Sequence, residues 1–468
     1  MNENYDFCVV GAGPSGLTVA YKLLQAGKRI LLIERDDRVG GLAKSYDYKG
    51  QIFDTGPKRF HTDDKIVLDF IAEIAQGDIC TIGRSTKVHF LNRYFEWPLQ
   101  TKDVLKMPIH LSIKCILDLL KKREIKDGRS FKEYIISKYG VSLYKTFFAP
   151  YTSKFLRWDV DDIHSDWAST GINRTIIDKR VDANTLMSLV KSLVLPSKIQ
   201  TEFLYPSTGG FGGFYERLLA CCRQSDGFHL VLGDTIATLQ QKGGPFTALT
   251  KNGQSISFDQ LIWTGNLNDL NKIISSDKRV HYLNTVFYNI ICRKEGISKE
   301  KAQWIYVSQG DALISRITCM SEFASYTCHP DYYNFICEVT DSQITPKYFT
   351  EPERHIDGVL EELVAMKFLK SKKYVEKVHV NSVQDTYPIY HKQYNRDFGK
   401  SAGAVKKFSS RIHLLGRSGA FWYNNSDHSI RFAIEMADKL LGRNDGSFDY
   451  RTYFGGTYSK TLQPQESG

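Results

Sequence analysis

The fold is decided by residues 5–16, which read YDFCVVGAGPSG. Residues 5–10 form an apolar run typical of a buried parallel strand, and a glycine-rich turn follows at once. The next apolar residues recur at helical spacing: Leu17, Ala20, Tyr21 and Leu24. Gly27 lies where such a helix commonly ends, and a second apolar run, residues 29–33, leads to Glu34. The order of strand, glycine turn, helix, strand and acid predicts a Rossmann-type βαβ unit.

The turn has the GxGxxG spacing that dinucleotide-binding turns require. Gly11 permits the tight turn, Gly13 lets the backbone approach a pyrophosphate, and Gly16 allows the helix to pack closely on the strand. The helix that begins at Pro14 and Ser15 presents unpaired N–H groups and a partial positive charge to phosphates. We therefore predict that this unit binds the pyrophosphate of a dinucleotide cofactor.

The residues that follow favour FAD over NAD. Glu34 can accept hydrogen bonds from both ribose hydroxyls of an adenosine. Gly40 and Gly41 follow closely, and two adjacent glycines would let the backbone reach the middle of a longer, extended cofactor. The cofactor contacts expected in this part of the chain are Glu34, Arg35, Gly40, Gly41, Leu42, Gly56, Pro57, Lys58 and Arg59.

A second cofactor segment is expected near the C-terminus. Residues 411–415 predict a strand, and a polar turn then enters a helix with one apolar face, which Ser426 or Asp427 is expected to cap. A helix N-terminus at this place would stabilise negative charge on a reduced flavin. The cofactor contacts expected here are Gly416, Arg417, Asn425, Asp427, His428 and Ser429.

The composition is that of an ordinary soluble globular protein of two or three lobes. Of the 468 residues 42% are hydrophobic and 24% charged, and the net charge of +10 is only mildly basic. This excess favours an anionic small molecule as the partner. The basic cluster at residues 121–129 is interpreted as a solvated helix end, so no nucleic acid is expected.

The cysteines and the chain start give no sign of export. The nine cysteines include no CxxC pair and no cluster with histidine, so we expect neither a metal site nor a disulfide framework. No signal peptide is visible, and no stretch has the apolar length of a membrane span. These features predict a cytoplasmic protein.

Segments spread over nearly the whole chain resemble the flavoprotein superfamily of amine oxidases, protoporphyrinogen oxidase and UDP-galactopyranose mutase, and most resemble the mutase branch. The segments that carry the resemblance are residues 40–45 (GGLAKS), 53–60 (FDTGPKRF), 97–99 (WPL), 148–154 (FAPYTSK), 166–168 (DWA), 205–213 (YPSTGGFGG) and 423–429 (YNNSDHS).

The resemblance implies an α/β fold with a Rossmann-type, glutathione reductase-like FAD domain, a helical cap and an antiparallel β-sheet substrate domain. The FAD domain would comprise residues 1–100, 205–285 and 385–468, the cap residues 101–204 and the sheet domain residues 286–384. Helical spacing at residues 104–120 and 131–148 and alternating polarity at residues 286–291 agree with this division. A substrate cleft is expected where the cap and the sheet meet the flavin.

The resemblance also implies a pyranose/furanose isomerisation of a nucleotide-activated sugar. In that reaction N5 of the reduced flavin attacks the anomeric carbon and expels the nucleotide diphosphate, and NAD(P)H commonly reduces the flavin beforehand. The sequence offers no nucleophile–base pair, as expected where a flavin carries the chemistry. Cations and hydroxyls are expected on the pyrophosphate. The expected catalytic residues are Arg59, Arg417 and Tyr423. The expected substrate-binding residues are Tyr151, Lys154, Arg174, Arg316, Tyr394 and Tyr423.

Two motifs depart from the mutase pattern. Where mutases carry a Gly-Gly-His loop against the flavin, this chain has Gly56-Pro57-Lys58. Where their tyrosine-rich segment continues as Lys-x-Trp, this chain has Lys154-Phe155-Leu156, and Arg174 is only a loose substitute for an arginine expected nearby. These departures indicate a sugar, or a reaction, that differs from the ring contraction of galactopyranose.

Two other functions remain open at this stage. One is an oxidase or dehydrogenase of the amine oxidase or protoporphyrinogen oxidase type, which removes hydride from a C–N or C–C bond. The other is a flavin-binding scaffold without turnover. The side chains that line the cleft beyond the flavin distinguish a mutase from an oxidase. Arginines and tyrosines would indicate a nucleotide sugar as substrate, whereas hydrophobic residues would indicate a porphyrin or a polyene. The oligomeric state is not indicated.

Overall fold

The computed structural model describes residues 4–97, 107–119, 121, 125, 127–168, 202–241 and 243–444. The strands are β1 (Asn4–Val10), β2 (Ile30–Glu34), β3 (Ser45–Asp47), β4 (Ile52–Asp54), β5 (Ile79–Gly83), β6 (Thr86–Phe90), β7 (Arg93–Glu96), β8 (Glu202–Pro206), β9 (Phe228–Leu232), β10 (Ile236–Gln241), β11 (Phe246–Thr250), β12 (Ser255–Trp263), β13 (Tyr282–Arg293), β14 (Trp304–Val307), β15 (Arg316–Cys319), β16 (Tyr332–Ser342), β17 (Val375–Pro388) and β18 (Ile412–Leu414). The α-helices are Pro14–Leu24, Lys65–Ala75, Ile109–Leu119, Phe131–Leu143, Ala149–Leu156, Gly210–Cys222, Leu267–Ile273, Ile356–Ala365, Tyr394–Phe408 and Ser426–Leu440, with a helical turn at Gly416–Gly419.

The first sheet is the predicted Rossmann-type sheet. Its strands lie in the order β10-β11-β12-β1-β2-β9, and β18 pairs with β12. The pairs β12–β1, β1–β2, β2–β9 and β12–β18 are parallel, whereas β10 and β11 are antiparallel additions at one edge. All residues of β2 are buried, as expected of a parallel strand covered on both faces. The α/β class predicted from the sequence is confirmed.

Three helices from distant parts of the chain pack against this sheet. They are Pro14–Leu24, Gly210–Cys222 and Ser426–Leu440, and their apolar faces share one core. The close approach of the first helix depends on Gly16, since a Cβ there would lie 1.9 Å from the carbonyl oxygen of Gly11. The C-terminal helix therefore lies beside the first helix, so the two predicted cofactor segments form one structure.

The second sheet has the strand order β17-β13-β16-β15-β14-β6-β7 and is antiparallel except at the β14–β6 pair. Residues 286–291 lie in antiparallel pairing, as expected, but their alternating polarity does not produce alternating exposure, because β13 is buried at every position from Tyr282 to Cys292. Its polar residues are hydrogen-bonded inside the sheet; Asn289 Nδ2, for example, donates to Asn381 Oδ1 at 2.5 Å. The strand lies between β16 and β17 and packs on both faces.

Residues 86–96, which we assigned to the FAD domain, do not pair with its sheet. They form β6 and β7, which extend the second sheet through the parallel pairing of β6 with β14. The sequence between residues 86 and 96 offers no sign of this, because its partner strand lies more than 200 residues later. We propose to keep the three-part domain division with this segment moved to the sheet domain.

The described part of the cap is helical, with one interruption that the sequence pattern did not predict. Residues 131–148 were expected to form one helix, but Gly140 has a φ of 83° and a π-helical stretch, Tyr144–Phe148, follows. A Cβ at Gly140 would lie 2.5 Å from the Cβ of Asp118, so the glycine lets two cap helices cross closely. No helix among the described residues is long and apolar enough to span a membrane.

Candidate functional site

The two glycine turns of the N-terminal segment pack directly against each other. The N–H of Gly40 donates to the carbonyl of Ala12 at 2.8 Å. A Cβ at Gly41, which has a φ of 52°, would lie 3.1 Å from the Cα of Gly13. Backbone therefore lies against backbone at the start of the first helix, and these turns form a cradle that side chains would fill. The residues present fit the pyrophosphate of a dinucleotide cofactor.

The C-terminal segment closes the same cradle. Gly416 has a φ of 77°, and a Cβ there would lie 3.1 Å from the Oγ of Ser15. The helix that follows is capped by Asn425, not by Ser426 or Asp427 as expected, and its third residue, His428, completes a capping box. The backbone N–H of Asn425 donates to His428 Nδ1 at 3.2 Å. Asn425 takes the cap because its side chain reaches the third residue of the helix.

Glu34 is buried, and its carboxylate ties the strand end to the glycine turn. Oε2 accepts from the N–H of Ala12 at 2.6 Å, and Oε1 accepts from the N–H of Asp36 at 3.0 Å. The neighbouring Arg35 is half-exposed and lies 3.7 Å from the carboxylate of Asp385. Glu34 is thus held at the carboxyl end of β2, where the adenosine of a dinucleotide is expected.

The loop Gly56-Pro57-Lys58-Arg59 lies on a buried ion pair. Arg316 donates from Nε and Nη2 to the two carboxylate oxygens of Glu338, at 2.7 and 2.5 Å. A Cβ at Gly56, which has a φ of 89°, would lie 2.7 Å from Glu338 Oε1. Arg316 Nη2 also donates to the Oη of Tyr387 at 3.1 Å. The predicted substrate residue Arg316 is therefore neutralised by Glu338 and positions a tyrosine.

The charge of Lys58 interacts with Glu338, Arg316 and Arg417. We call these three residues, together with Tyr387 and Tyr423, the cluster. The pKa of the Lys58 amine is lowered to about 7, chiefly by burial and also by the nearby Arg417 and Arg316, while Glu338 opposes this shift. Within the described part of the chain its amine makes no hydrogen bond or ion pair. A buried amine of this kind becomes a stable cation when an anionic ligand binds beside it.

We expect Lys58 to make the cofactor-free protein less stable near pH 6 than near pH 10. The folded-state pKa is about 7 against an ordinary 10.5, so the unfolded chain binds more protons across that window and stability rises with pH there. Lys58→Met should therefore be more stable than wild type near pH 6, and this difference should shrink towards pH 10. Urea unfolding at several pH values measures it, with the exposed-site variant Lys251→Met as control. A difference that does not change with pH would contradict the lowered pKa.

Arg417 and Tyr423 lie at the opposite side of the same cluster. Arg417 Nη1 donates to the carbonyl of Thr386 at 2.9 Å, and Nη2 bonds the carbonyl of Asn424. The Arg417 guanidinium lies 5.3 Å from the ring centroids of both Tyr387 and Tyr423. This arginine joins the end of β17 to the turn before the C-terminal helix, and so fixes both tyrosines.

The cap segment at residues 166–168 reaches this cluster through its aromatic residue. Trp167 stacks on Tyr423 with ring centroids 5.1 Å apart, and burial raises the pKa of Tyr423 to about 12. Asp166 accepts a hydrogen bond from Tyr394 at 2.6 Å. Tyr394 therefore anchors the cap to the helix Tyr394–Phe408, one layer behind Tyr423.

The other predicted substrate residues lie in different surroundings. Tyr151 belongs to the cluster, since its ring lies 6.1 Å from that of Tyr306. Lys154 is buried, and its amine donates to the carbonyls of Val307 and Ile314 at 2.6 and 3.0 Å, which ties the cap to the sheet. Arg174 lies outside the described residues.

The sequence analysis did not name several residues that line the cluster. Glu338, Tyr306, Tyr387 and Trp304 belong to the second sheet, and Arg84, between β5 and β6, lies beside Trp304. One signal was available: Glu338 is a single acid within the apolar run of residues 335–339, and an acid inside a buried strand is usually paired. The other four carry no pattern that distinguishes them from core aromatics or surface cations.

The comparisons with known proteins agree with this geometry. Residues 9–74 match the family described as an NAD(P)-binding Rossmann-like domain. Over 177 residues the chain is 24% identical to a probable UDP-galactopyranose mutase of Klebsiella pneumoniae, a match that covers 34% of this chain and 42% of that protein. The chain thus aligns with less than half the length of this curated relative.

The similarity in structure extends much further. A crystal structure of reduced UDP-galactopyranose mutase superposes with a TM-score of 0.81 at 20% identity, over 97% of this chain and 98% of that one. A putative protoporphyrinogen oxidase from Exiguobacterium sp. 255-15 superposes with a TM-score of 0.73 at 15% identity, over 95% and 100%. The chain therefore has, over nearly its whole length, the fold of UDP-galactopyranose mutase, with a Rossmann-like dinucleotide-binding unit at its start.

Proposed function

We propose that this protein is an FAD-dependent enzyme that interconverts ring forms of a nucleotide-activated sugar. The observation that carries the proposal is the lining of the cluster beside the glycine cradle. Tyrosine hydroxyls and cations line it, from Tyr151, Tyr387, Tyr423, Lys58 and Arg417. Such groups suit a diphosphate and a polyhydroxylated sugar better than a porphyrin or a polyene.

The cofactor would be held by the cradle and the two segments that close it. The backbone at Gly13 and Gly41 would receive the pyrophosphate, Glu34 the adenosine ribose, and the N-terminus of the helix Ser426–Leu440 the flavin end. FAD, reduced by NAD(P)H, would supply the nucleophile N5. Asp427, His428 and Ser429 are buried in the first turn of that helix, which keeps its N–H groups fixed in direction.

The protein side chains bind and orient the substrate. Lys58, whose amine forms no ion pair among the described residues, would pair with the diphosphate as it leaves the sugar. We propose that the hydroxyl of Tyr423 binds the sugar, since its ring is held by Trp167 and Arg417. Arg417 is occupied by two carbonyl groups, so we propose it as a positioning residue for Tyr423.

The test is a screen of nucleotide sugars against the dithionite-reduced protein, with ring-size isomers detected by chromatography. We expect isomer formation without consumption of reductant in proportion to product. Tyr423→Phe should lower turnover while the flavin spectrum stays unchanged, because the ring and its stacking on Trp167 remain. The rival oxidase predicts activity from oxidised flavin, and peroxide formed one-for-one with substrate loss would decide against the mutase.

We expect Glu34→Ala to weaken FAD binding by about 1–3 kcal/mol, the scale of a charge-assisted hydrogen bond to a buried partner. The change also removes the acceptor of the Ala12 and Asp36 N–H groups, so the glycine turn should loosen. Fluorescence titration of the apoprotein with FAD measures the affinity, and Glu73→Ala, at an exposed helix position, is the matched control. Equal affinities of the two variants would show that Glu34 does not receive the adenosine.

A further inference from the structure

Arg59, which follows Lys58 in the loop, lies in an aromatic layer formed by Trp304 and Phe203. Its guanidinium carbon is 4.4 Å from the ring centroid of Trp304 and 4.9 Å from that of Phe203. Nη1 donates to the carbonyl of Pro57 at 2.8 Å. The guanidinium is therefore fixed in direction, by two rings and by its own loop.

The Nε of this guanidinium has no acceptor among the described residues. Nε is buried and makes no hydrogen bond, and no ion pair joins Arg59 to an acid within the described residues. The indole N–H of Trp304 is likewise a buried donor without an acceptor there. The Nε–Nη2 edge is the side of arginine that binds a carboxylate or phosphate through two parallel hydrogen bonds.

A second arginine adds to the positive charge of this layer. The guanidinium of Arg84 lies 5.8 Å from the ring centroid of Trp304, and its Nε donates to the Oγ1 of Thr86 at 3.3 Å. The pKa of Arg59 is lowered to about 10, chiefly by burial, and the charge of Arg84 contributes to this shift. The pKa of His61 is lowered to about 4, chiefly by burial and also by the charges of Arg59 and Arg84. The layer therefore holds two cations and a neutral histidine.

We propose that Arg59, Arg84 and Trp304 form a binding site for an oxyanion of the substrate, a phosphate or a carboxylate. The inference rests on the proposed function, because it adds a charged group to the same substrate. Trp304 and Tyr306 are two residues apart on β14, so both side chains lie on one face of the strand. Tyr306 joins this layer to Tyr151 in the cluster. One extended ligand can thus reach both places.

Two variants and a matched control test the site. The variants are Arg59→Gln and Arg84→Gln. The control is Arg293→Gln, which alters an exposed arginine of the second sheet, the sheet that contains Trp304. Calorimetry on the oxidised, flavin-loaded protein measures the affinity for UDP, UDP-galactose, UDP-glucuronate and inorganic pyrophosphate. The flavin absorbance and the melting temperature show whether each variant is folded. Arg84→Lys keeps the charge and should restore part of the binding if the layer acts through charge.

The pattern across the probes identifies the oxyanion. If it is a phosphate, both Gln variants weaken UDP and both UDP-sugars alike, by about tenfold or more, the scale of a lost charge-assisted hydrogen bond. If it is a carboxylate on the sugar, only UDP-glucuronate is weakened. Affinities within about twofold of wild type for all four probes would overturn the inference, even in an enzyme that isomerises nucleotide sugars. If wild type binds pyrophosphate in an Arg59-dependent way but no nucleotide sugar, the proposed function fails and the oxyanion site stands.

Discussion

Replacing Gly13 by alanine is expected to give a folded protein that no longer retains its flavin. A Cβ at Gly13 meets nothing closer than the Cα of Gly41, at 3.7 Å, so the chain itself accommodates the methyl group. The same Cβ would point into the cradle between the two glycine turns, where the pyrophosphate needs close approach to the backbone. Loss of two charge-assisted hydrogen bonds there corresponds to an FAD affinity lower by about 100-fold or more.

The measurement combines the flavin absorbance of the purified protein, an FAD titration and urea unfolding of the cofactor-free forms. Gly16→Ala is the matched control, since its Cβ would lie 1.9 Å from the carbonyl oxygen of Gly11 and force the first helix away from β1. It should lower the free energy of unfolding by about 3 kcal/mol or more, as overpacking at a backbone contact does. A Gly13→Ala protein that purifies with its full flavin complement would mean that the cofactor does not pass between these turns.

The cradle could be predicted from the sequence because its parts are local patterns. The turn at Gly11–Gly16, the pair Gly40 and Gly41, and the polar turn before the last helix each combine glycine or polar residues with an adjoining apolar strand or helix. Parallel strands carry their carboxyl ends to one edge, so these turns had to meet. The N-cap residue of the helix Ser426–Leu440 was predicted wrongly, because residues 425–427 are three successive residues of the types that favour this position.

The cleft could not be predicted in the same way. Its lining comes from strands whose neighbours in space are far apart in sequence, such as β6 and β14, and no local period indicates such a pairing. A cation in the sequence also gives no sign of whether it will be neutralised. Arg316 is paired with Glu338, Arg417 is bound to two carbonyl groups and Lys154 to two others, whereas Lys58 and Arg59 lack an acid partner within the described residues. Of these five cations, Lys58 and Arg59 are the ones that keep a donor group without an acceptor among the described residues.

The largest effect on stability is expected from Glu338→Gln. The side chain of Glu338 is 1% exposed and that of Arg316 11%, and the two residues lie directly opposite each other on β16 and β15. Removal of the acid leaves a buried guanidinium without a counter-charge, which costs about 3–5 kcal/mol. Urea unfolding of the cofactor-free protein measures the loss.

Two further variants separate this cost from the value of the pair itself. Arg316→Met combined with Glu338→Leu removes both charges and should recover most of the stability, because apolar residues of similar size often replace a buried pair at little cost. Glu376→Gln breaks the exposed pair with Arg293 in the same sheet and should cost less than about 1 kcal/mol. Gly56 packs on Glu338 Oε1, so the double variant should remain folded yet lose the fixed position of Lys58 and bind pyrophosphate less tightly. If the double variant were as unstable as Glu338→Gln alone, the loss would come from packing under Gly56 and not from an unpaired charge.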